Sequence, residues 1–447
     1  MTYDDARAYL DALPRWAAQG QAAYQPGLTT MERLMEGLGR PHEAFPSVHV
    51  GGTNGKGSTA SMLAAIATAS GRRTGLHTSP HLLDFAERMR IDGQAAPHAW
   101  IAGAVARHRA LFDAVRPSFF EATVALSFLY FAEMAVDLAV VEVGLGGRLD
   151  ATNVLAPAVA LVTYIGLDHT DVLGTTKAAI AREKAGIAKP GVPFLTAEPD
   201  PALRAVLRAE AEARGASFEA VRETVTVEAG PSSDGAVRLD VNTPERRFAD
   251  LCMGLPGTHQ TWNAALAVRA AETAGIMTGE DGSDRSAVRQ GLAGVRKLAG
   301  IRGRCEVWSE SPLTVLDVSH NAEGLAAALA FVQARQHARR EGTAGGRLQV
   351  LLGLMRDKDL DALVPLLRRA EATITPVSLD SARARSAAEL RAAFAAAGLA
   401  LSLDDAPTTP HEALAWLHRR ITAHDAVLAT GSHLVAAAVL RAADEPA

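Results

Sequence analysis

Short, β-branched, nearly continuous apolar runs alternate with alanine-rich stretches of helical length along most of the chain. Val48–Val50, Leu138–Val143, Ala158–Ile165 and Val192–Leu195 read as strands buried on both faces, as in a parallel sheet covered by helices. Ser58–Ser70, Thr123–Met134 and Thr176–Ala188 between them have helical length and composition. The alternation predicts a doubly wound α/β sheet. From about Phe218 to Phe248 the texture changes to "VTVEAG", "AVRLDV" and "RRFADL", separated by "PSSDG" and "NTPE". Short polar-flanked strands with turn residues predict a small antiparallel excursion, after which helices resume at Thr261–Ala274 and Arg285–Ala293.

The basic, glycine-containing stretch "RKLAGIRGR", residues 296–304, separates this pattern from a second one. Leu313–Val318, Leu348–Leu352, Thr373–Leu379, Ala400–Leu403 and Ala426–Ala429 read as its strands, with helices between. At 447 residues the chain is too long for a single core. The predicted division is an N-terminal α/β domain over 1–297, with a mostly parallel sheet and the antiparallel excursion. A linker over 298–303 and a smaller C-terminal Rossmann-like α/β domain over 304–447 follow.

Composition narrows the function classes. Hydrophobic residues at 48% and charged residues at 21% describe a globular protein, and a net charge of -5 without any Lys/Arg run argues against a nucleic-acid binder. Cys252 and Cys305 lack C-x-x-C spacing, which excludes a disulfide framework and a thiolate zinc site and fits a reducing compartment. The acidic, amphipathic start differs from a signal peptide, and no apolar run is long enough to span a bilayer. A cytoplasmic protein with no membrane partner is expected.

Candidate chemistry begins at "VHVGGTNGKGSTASM" (Val48–Met62), an altered Walker A pattern. Gly57 follows Lys56 where the pattern requires Ser or Thr, and Val50 stands in the place of its first glycine. A strand, a glycine loop and a helix still make a phosphate cradle, because glycines permit positive φ and a helix N-terminus presents free N–H groups. Thr53, Asn54, Gly55, Lys56, Gly57, Ser58 and Thr59 are the candidate nucleotide contacts, with Lys56 reaching the β/γ-phosphates. The alternative is a tight βα turn with a helix cap. Glu142 ends an apolar strand before Gly144, Gly146 and Gly147, at the sheet edge where ligands bind, and is otherwise a satisfied half-buried acid. His169 in "LDHTD" suits either a structural histidine or a metal ligand beside Glu142.

"GTNGKG" resembles the Mur-ligase superfamily and, within it, the folylpolyglutamate synthase/dihydrofolate synthase family, and "GGRLDATN" resembles the family's bifunctional members. "TSPHLLDFAERMRIDG", "FFEATVALSFLYF", "VVEVGLGGRLDATN", "GLDHTDVLGTT", "EKAGIAKPG", "LPGTHQTWNA", "GRCE", "LDVSHNAEG", "GLMRDKD" and "TGSHLV" follow in the family's order. The resemblance implies an ATP-dependent ligase that adds L-glutamate to 7,8-dihydropteroate and to reduced folates through an acyl phosphate. Lys56, His169, Lys184, Asp317 and His320 are the catalytic groups it implies. Ser79, Glu142 and His169 match its metal positions, with Ser58 or Ser79 supplying the hydroxyl that Gly57 lacks, for two Mg2+ ions and a monovalent cation. Lys184 matches a lysine carbamylated by CO2, a reaction that needs a neutral and therefore buried amine.

Asn263, Arg304, Asp317, His320 and Asn321 match family positions around ATP, Arg304 as a phosphate clamp rather than a plain linker charge. The pterin would face Leu149, Asp150 and Ala151, with Gly27, Leu28, Thr29 and Thr30 and with Phe120, Glu121, Ala122 and Thr123 closing its pocket; Asp150 also suits an Asx turn before Asn153. The sequence departs from the family's D-G-A-H-N-P at Val318, Ser319 and Ala322, and has Arg302 where a proline is usual. A monomer is expected, and closure of its two domains is expected to bring Asp317 and His320 onto the nucleotide. A monofunctional folylpolyglutamate synthase is the alternative. A Mur ligase for UDP-sugar peptides would need an N-terminal uridine domain, for which there is no room before residue 51. A nucleotide switch gives no reason for Ser79, Glu142, His169 and Lys184 to occur together.

Overall fold

The computed structural model describes residues 1–15, 27–231, 237–277, 279, 281–338 and 346–444. Strands β1 (Ser47–Gly51), β2 (Thr74–His77), β3 (Met89–Ile91), β4 (Gln94–Ala95), β5 (Leu138–Glu142), β6 (Val159–Val162), β7 (Pro193–Thr196) and β8 (Ser217–Ala220) form one sheet. Their order is β4–β3–β2–β5–β1–β6–β7–β8. The run from β2 to β8 is parallel, whereas β3 pairs antiparallel with β2 and β4 with β3. β1, β5 and β6 are buried along their whole length, which is why they lack a polar alternation.

Helix Lys56–Ala69 is buried from Gly57 through Ala67 and small-residue rich. It packs against the Gln260–Thr273 and Asp281–Ala293 helices, the latter so closely that a Cβ on Gly291 would lie 2.6 Å from Ile66 Cα. The other face of the sheet carries the Phe119–Glu133 helix over a core that includes Met31, Phe85, Phe128, Phe131 and Val141. Around the far strands, Ile180, Phe194 and Leu207 anchor a second cluster. β9 (Thr226–Pro231), β10 (Val237–Asn242) and β11 (Arg247–Met253) form the expected separate small sheet. The PSSDG turn between β9 and β10 lies, from residue 232 onward, outside the described residues.

A second compact unit comprises 230–237, 255–259 and 302–447, while the rest of the chain forms the first. Its sheet holds β12 (Glu306–Glu310), β13 (Leu313–Leu316), β14 (Leu348–Leu352), β15 (Thr373–Pro376) and β16 (Ala426–Thr430), ordered β12–β13–β16–β14–β15. Only β12 is antiparallel to its neighbour. The strand expected at Ala400–Leu403 is reduced to a single bridge between Ile374 and Leu401. Leu403 is 66% exposed, so the run ends before it can build a ladder. Val295–Ala299 is a turn of helix, so the expected linker begins inside a helical segment. Among the described residues no helix is long and apolar enough to cross a membrane.

Candidate active site

The loop after β1 is bonded to the segment after β6. Thr53 N donates to Tyr164 O at 2.6 Å, Gly166 N to Thr53 Oγ1 at 3.0 Å and Thr163 Oγ1 to Asn54 O at 2.6 Å. Gly55 takes the left-handed conformation at φ 86 and caps the Lys56 helix without a side-chain hydrogen bond. The first main-chain N–H groups of that helix are therefore left without a side-chain cap, the condition under which a helix N-terminus can take an anion. Lys56 Nζ folds back onto Thr53 O at 3.1 Å. Gln260 Nε2 donates to Ser58 Oγ at 3.3 Å, and Asn263 Nδ2 donates to Gln260 Oε1 at 2.8 Å. Gly57, Ser58 and Thr59 are buried. Ser58 thus faces the Gln260 helix rather than the open loop, whereas Asn263 belongs to the first unit and sits directly against Gly55.

Adjacent strands bring the acidic candidates to the same carboxyl edge. Glu142, at the end of β5, is 4% exposed and its Oε2 accepts from Ser79 N at 3.1 Å. Glu87 organises the Ser79 loop, its carboxylate accepting from Leu82 N, Leu83 N and Asp84 N at 2.8–2.9 Å. Behind it Arg88 is buried, donates Nε to His81 Nδ1 at 2.8 Å and packs over Phe119. Burial, with Arg7 and Arg15 adding, pushes the Arg88 pKa down to about 10, against the opposing charge of Glu142. His169 lies on the β6 loop at φ 50, its ring 3.9 Å from Asp168 Oδ2.

Lys184 is 4% exposed, and its Nζ donates to Gly52 O at 2.8 Å. Burial lowers its pKa to about 7; Lys56 pushes the same way, and Asp168 and Asp150 oppose. The phosphate loop, Ser79 with Glu142, and Lys184 are therefore brought to one edge of the sheet. Among the described residues no three His, Cys, Asp or Glu side chains form a closed metal cage. A buried carboxylate and a hydroxyl are ligand types for a hard divalent ion that keeps waters and substrate phosphates in its shell, whereas an imidazole is unusual on such an ion.

The three segments expected around the pterin also meet. Leu28 caps the Thr29–Gly37 helix, which packs against the Ala151–Val154 turn. Phe120, Ala122 and Thr123 lie in the first turns of the Phe119–Glu133 helix, where Glu121 forms a capping box with Ser118. Phe120 packs so tightly on Gly144 that a side chain there would overlap its ring. Leu149 is half-buried and Ala151 buried. Asp150 is 6% exposed; its Oδ2 accepts from Leu145 N at 2.8 Å and its Oδ1 from Thr152 N at 3.0 Å and from Thr152 Oγ1. Its carboxylate makes the Asx turn and clamps the loop.

The second unit gathers its own candidates at the carboxyl edge of its sheet. Asp317, 6% exposed, accepts from Cys305 N at 2.8 Å and Ser319 N at 2.9 Å. His320 Nδ1 donates to Val318 O at 3.1 Å, which orients the ring. Asn321 Oδ1 accepts from Gly324 N, closing the start of the Ala322–Ala338 helix, and Arg304 is half-buried with Nη1 3.3 Å from Gly303 O.

Two domain families match: Mur ligase middle domain over residues 50–271, and Mur ligase, glutamate ligase domain over residues 303–433. A dihydrofolate synthase/folylpolyglutamate synthase of Bacillus subtilis is 33% identical over 437 residues, 96% of each chain. The chain belongs to the dihydrofolate synthase/folylpolyglutamate synthase family of Mur ligases. Among solved structures, Escherichia coli FolC in complex with DHPP and ADP superposes with a TM-score of 0.84 at 28% identity, over 99% of this chain and 98% of that one. A bifunctional folylpolyglutamate synthase/dihydrofolate synthase with Mn, AMPPNP and L-glutamate bound has a TM-score of 0.81 at 29% identity, over 100% and 98%.

Two of the four departures from the family pattern, Arg302 and Ser319, have local side-chain partners. Arg302 Nε donates to Glu306 Oε1 at 2.7 Å, and Glu306 Oε2 accepts from Gly303 N, so an ion pair does the turn-fixing expected of a proline. Ser319 Oγ lies 2.9 Å from Thr430 Oγ1, tying the β13 and β16 loops. Sequence reasoning passed over Gln260, Arg88, His49 and His77. Gln260, Arg88 and His49 stood inside quoted motifs, but His49 reads as the one polar position of the apolar strand "VHV", and the segment holding His77 does not read as a strand.

Proposed function

We propose that this Mur ligase catalyses ATP-dependent addition of L-glutamate to 7,8-dihydropteroate and to reduced folates through an acyl phosphate. The observation carrying the reading is the 2.8 Å contact of buried Lys184 with the carbonyl of Gly52, which couples the phosphate loop to the sheet edge that holds Glu142. A carboxylate is a poor electrophile, so its oxygen must take the γ-phosphoryl group of ATP before the α-amine of glutamate can attack. Attack on the carbonyl carbon then expels phosphate.

Lys56 and the N–H groups of its helix bind the phosphates, worth most where charge builds on the transferred group. Ser79, Glu142 and His169 would hold divalent metal, which neutralises phosphate charge when bound; Mg2+ is the ion proposed, with a monovalent cation beside it. Carbamylated Lys184 adds a carboxylate to this group. Asp317, His320, Asn321 and Arg304 are the nucleotide contacts of the 304–447 ligase domain, and Asn263 with Thr53–Thr59 those of the 1–297 domain. Leu149–Ala151, Phe120–Thr123 and Gly27–Thr30 line the acid substrate. The enzyme acts as a cytoplasmic monomer.

The test is ATP-dependent incorporation of labelled glutamate with dihydropteroate and, separately, with tetrahydrofolate. Turnover with both supports the bifunctional reading; turnover with tetrahydrofolate alone makes the chain a folylpolyglutamate synthase. Lys56→Ala and His320→Ala are expected to lose turnover or raise the ATP KM, and near-normal kinetics in either removes that residue from the site.

A further inference from the structure

Two buried histidines take no part in the chemistry above. His49 on β1 and His77 on β2 flank Val141 of β5 in one row across the sheet, so their side chains leave the same face. Both have no exposed surface. His49 Nε2 lies 2.8 Å from Thr152 Oγ1, and Thr152 donates its hydroxyl proton to Asp150 Oδ1. Asp150 accepts main-chain N–H groups on both oxygens, so it acts as an acceptor here. A hydroxyl has one proton to give, and Thr152 Oγ1 must therefore receive the N–H of His49 Nε2.

His77 repeats the arrangement with its other nitrogen. Its Nδ1 lies 2.9 Å from Ser127 Oγ, and Ser127 donates to Thr123 O at 3.0 Å. By the same rule His77 carries its proton on Nδ1. The nitrogens left over, His49 Nδ1 and His77 Nε2, are buried without a hydrogen-bond partner. In these tautomers each is a bare lone pair, so no N–H is orphaned.

Each histidine ends on one wall of the pocket assigned to the acid substrate. Thr152 adjoins Leu149–Ala151, and Ser127 stands one turn beyond Thr123 on the Phe119–Glu133 helix. We propose that His49 and His77 are positioning residues of opposite tautomer that hold these two walls against the sheet and so set affinity for the pterin-bearing acid. The inference rests on the assignment of those walls to the substrate. An apolar residue would fill either space but leave the Thr152 or Ser127 hydroxyl without its donor.

Amide side chains separate the two roles, since Gln places its N–H where His Nε2 lies and Asn where His Nδ1 lies. His49→Gln and His77→Asn are matched replacements, and His49→Asn and His77→Gln are mismatched. Matched variants are expected to keep the dihydropteroate KM within about twofold and mismatched ones to raise it about tenfold, the effect of one buried hydrogen bond, with the ATP KM unmoved. In parallel, long-range 15N–1H NMR on histidine-labelled wild-type enzyme should show His49 protonated at Nε2 and His77 at Nδ1, a readout that needs no variant to fold. Equal effects of matched and mismatched amides, an ATP KM that moves in step, or the reverse tautomers would overturn the proposal alone. Absence of wild-type turnover on dihydropteroate and tetrahydrofolate would overturn the substrate reading and this inference together.

Discussion

Lys184 Nζ donates to Gly52 O across 2.8 Å, joining an amine buried on the Lys177–Ala185 helix to the first residue of the phosphate loop. With its pKa lowered to about 7 by burial and by Lys56, much of this lysine is the free amine at neutral pH. CO2 reacts with that form alone. Enzyme held in 13C-bicarbonate is expected to show a carbamate carbon that Lys184→Arg lacks, growing as pH rises from about 6 to about 8 because deprotonation lies in that window. A spectrum without it at any pH removes carbamylation from the mechanism.

The same shift has a stability consequence of definite sign. An unfolded lysine keeps its proton up to about 10.5, whereas folded Lys184 loses it near 7, so between these values the unfolded chain binds more protons. The penalty of burying the charge is fully present below pH 7 and is relieved as pH rises toward 10.5. Wild type should therefore gain on Lys184→Met in unfolding free energy across that range when both are titrated with urea. A difference constant with pH would mean that the buried amine does not titrate there.

Gly55 combines φ 86 with a near neighbour: a Cβ added to it would lie 2.5 Å from Asn263 Oδ1. Gly55→Ala must accept left-handed backbone, at about 1–2 kcal/mol, and push Asn263 off Gln260. Calorimetric ADP affinity is expected to drop by about tenfold or more, while the acid-substrate KM changes little. Unchanged ADP binding would show that the loop does not hold phosphate.

How much of this was legible depended on whether a residue's environment repeats its chemistry. β1 and β5 could be read because strands covered on both faces are apolar throughout. β2 could not, since Thr74–His77 buries a histidine and a threonine that look like surface positions. β12 escaped because it is a half-exposed edge strand, and the Phe119 helix was started late although Ser118 and Glu121 spell a capping box. In the site, Lys56 and Glu142 announced themselves through glycines and strand ends. Lys184 on its own looks like an ordinary solvated helix lysine; only its burial and its contact with the Gly52 carbonyl mark it as a buried amine.

Glu142 offers the sharpest test of the metal assignment, because charge and shape can be varied separately. Its Oε2 accepts from Ser79 N at 3.1 Å, and the glutamate is 4% exposed at the end of β5. Glu142→Gln keeps a carbonyl oxygen for Ser79 N and nearly the same volume but removes the negative charge. Glu142→Asp keeps the charge and withdraws it by one methylene, which strains the Ser79 contact. A ligand role puts charge first, so Mn2+ affinity measured by EPR in the presence of ADP should fall about tenfold or more in Glu142→Gln and less in Glu142→Asp. A loop-holding role puts reach first and reverses that order, with Glu142→Asp also the less stable protein. Arg88 sharpens the contrast: this buried guanidinium feels the charge of Glu142, so Glu142→Gln should lower stability modestly even where the Ser79 bond survives. Wild-type Mn2+ binding in Glu142→Gln would take the residue out of the metal set.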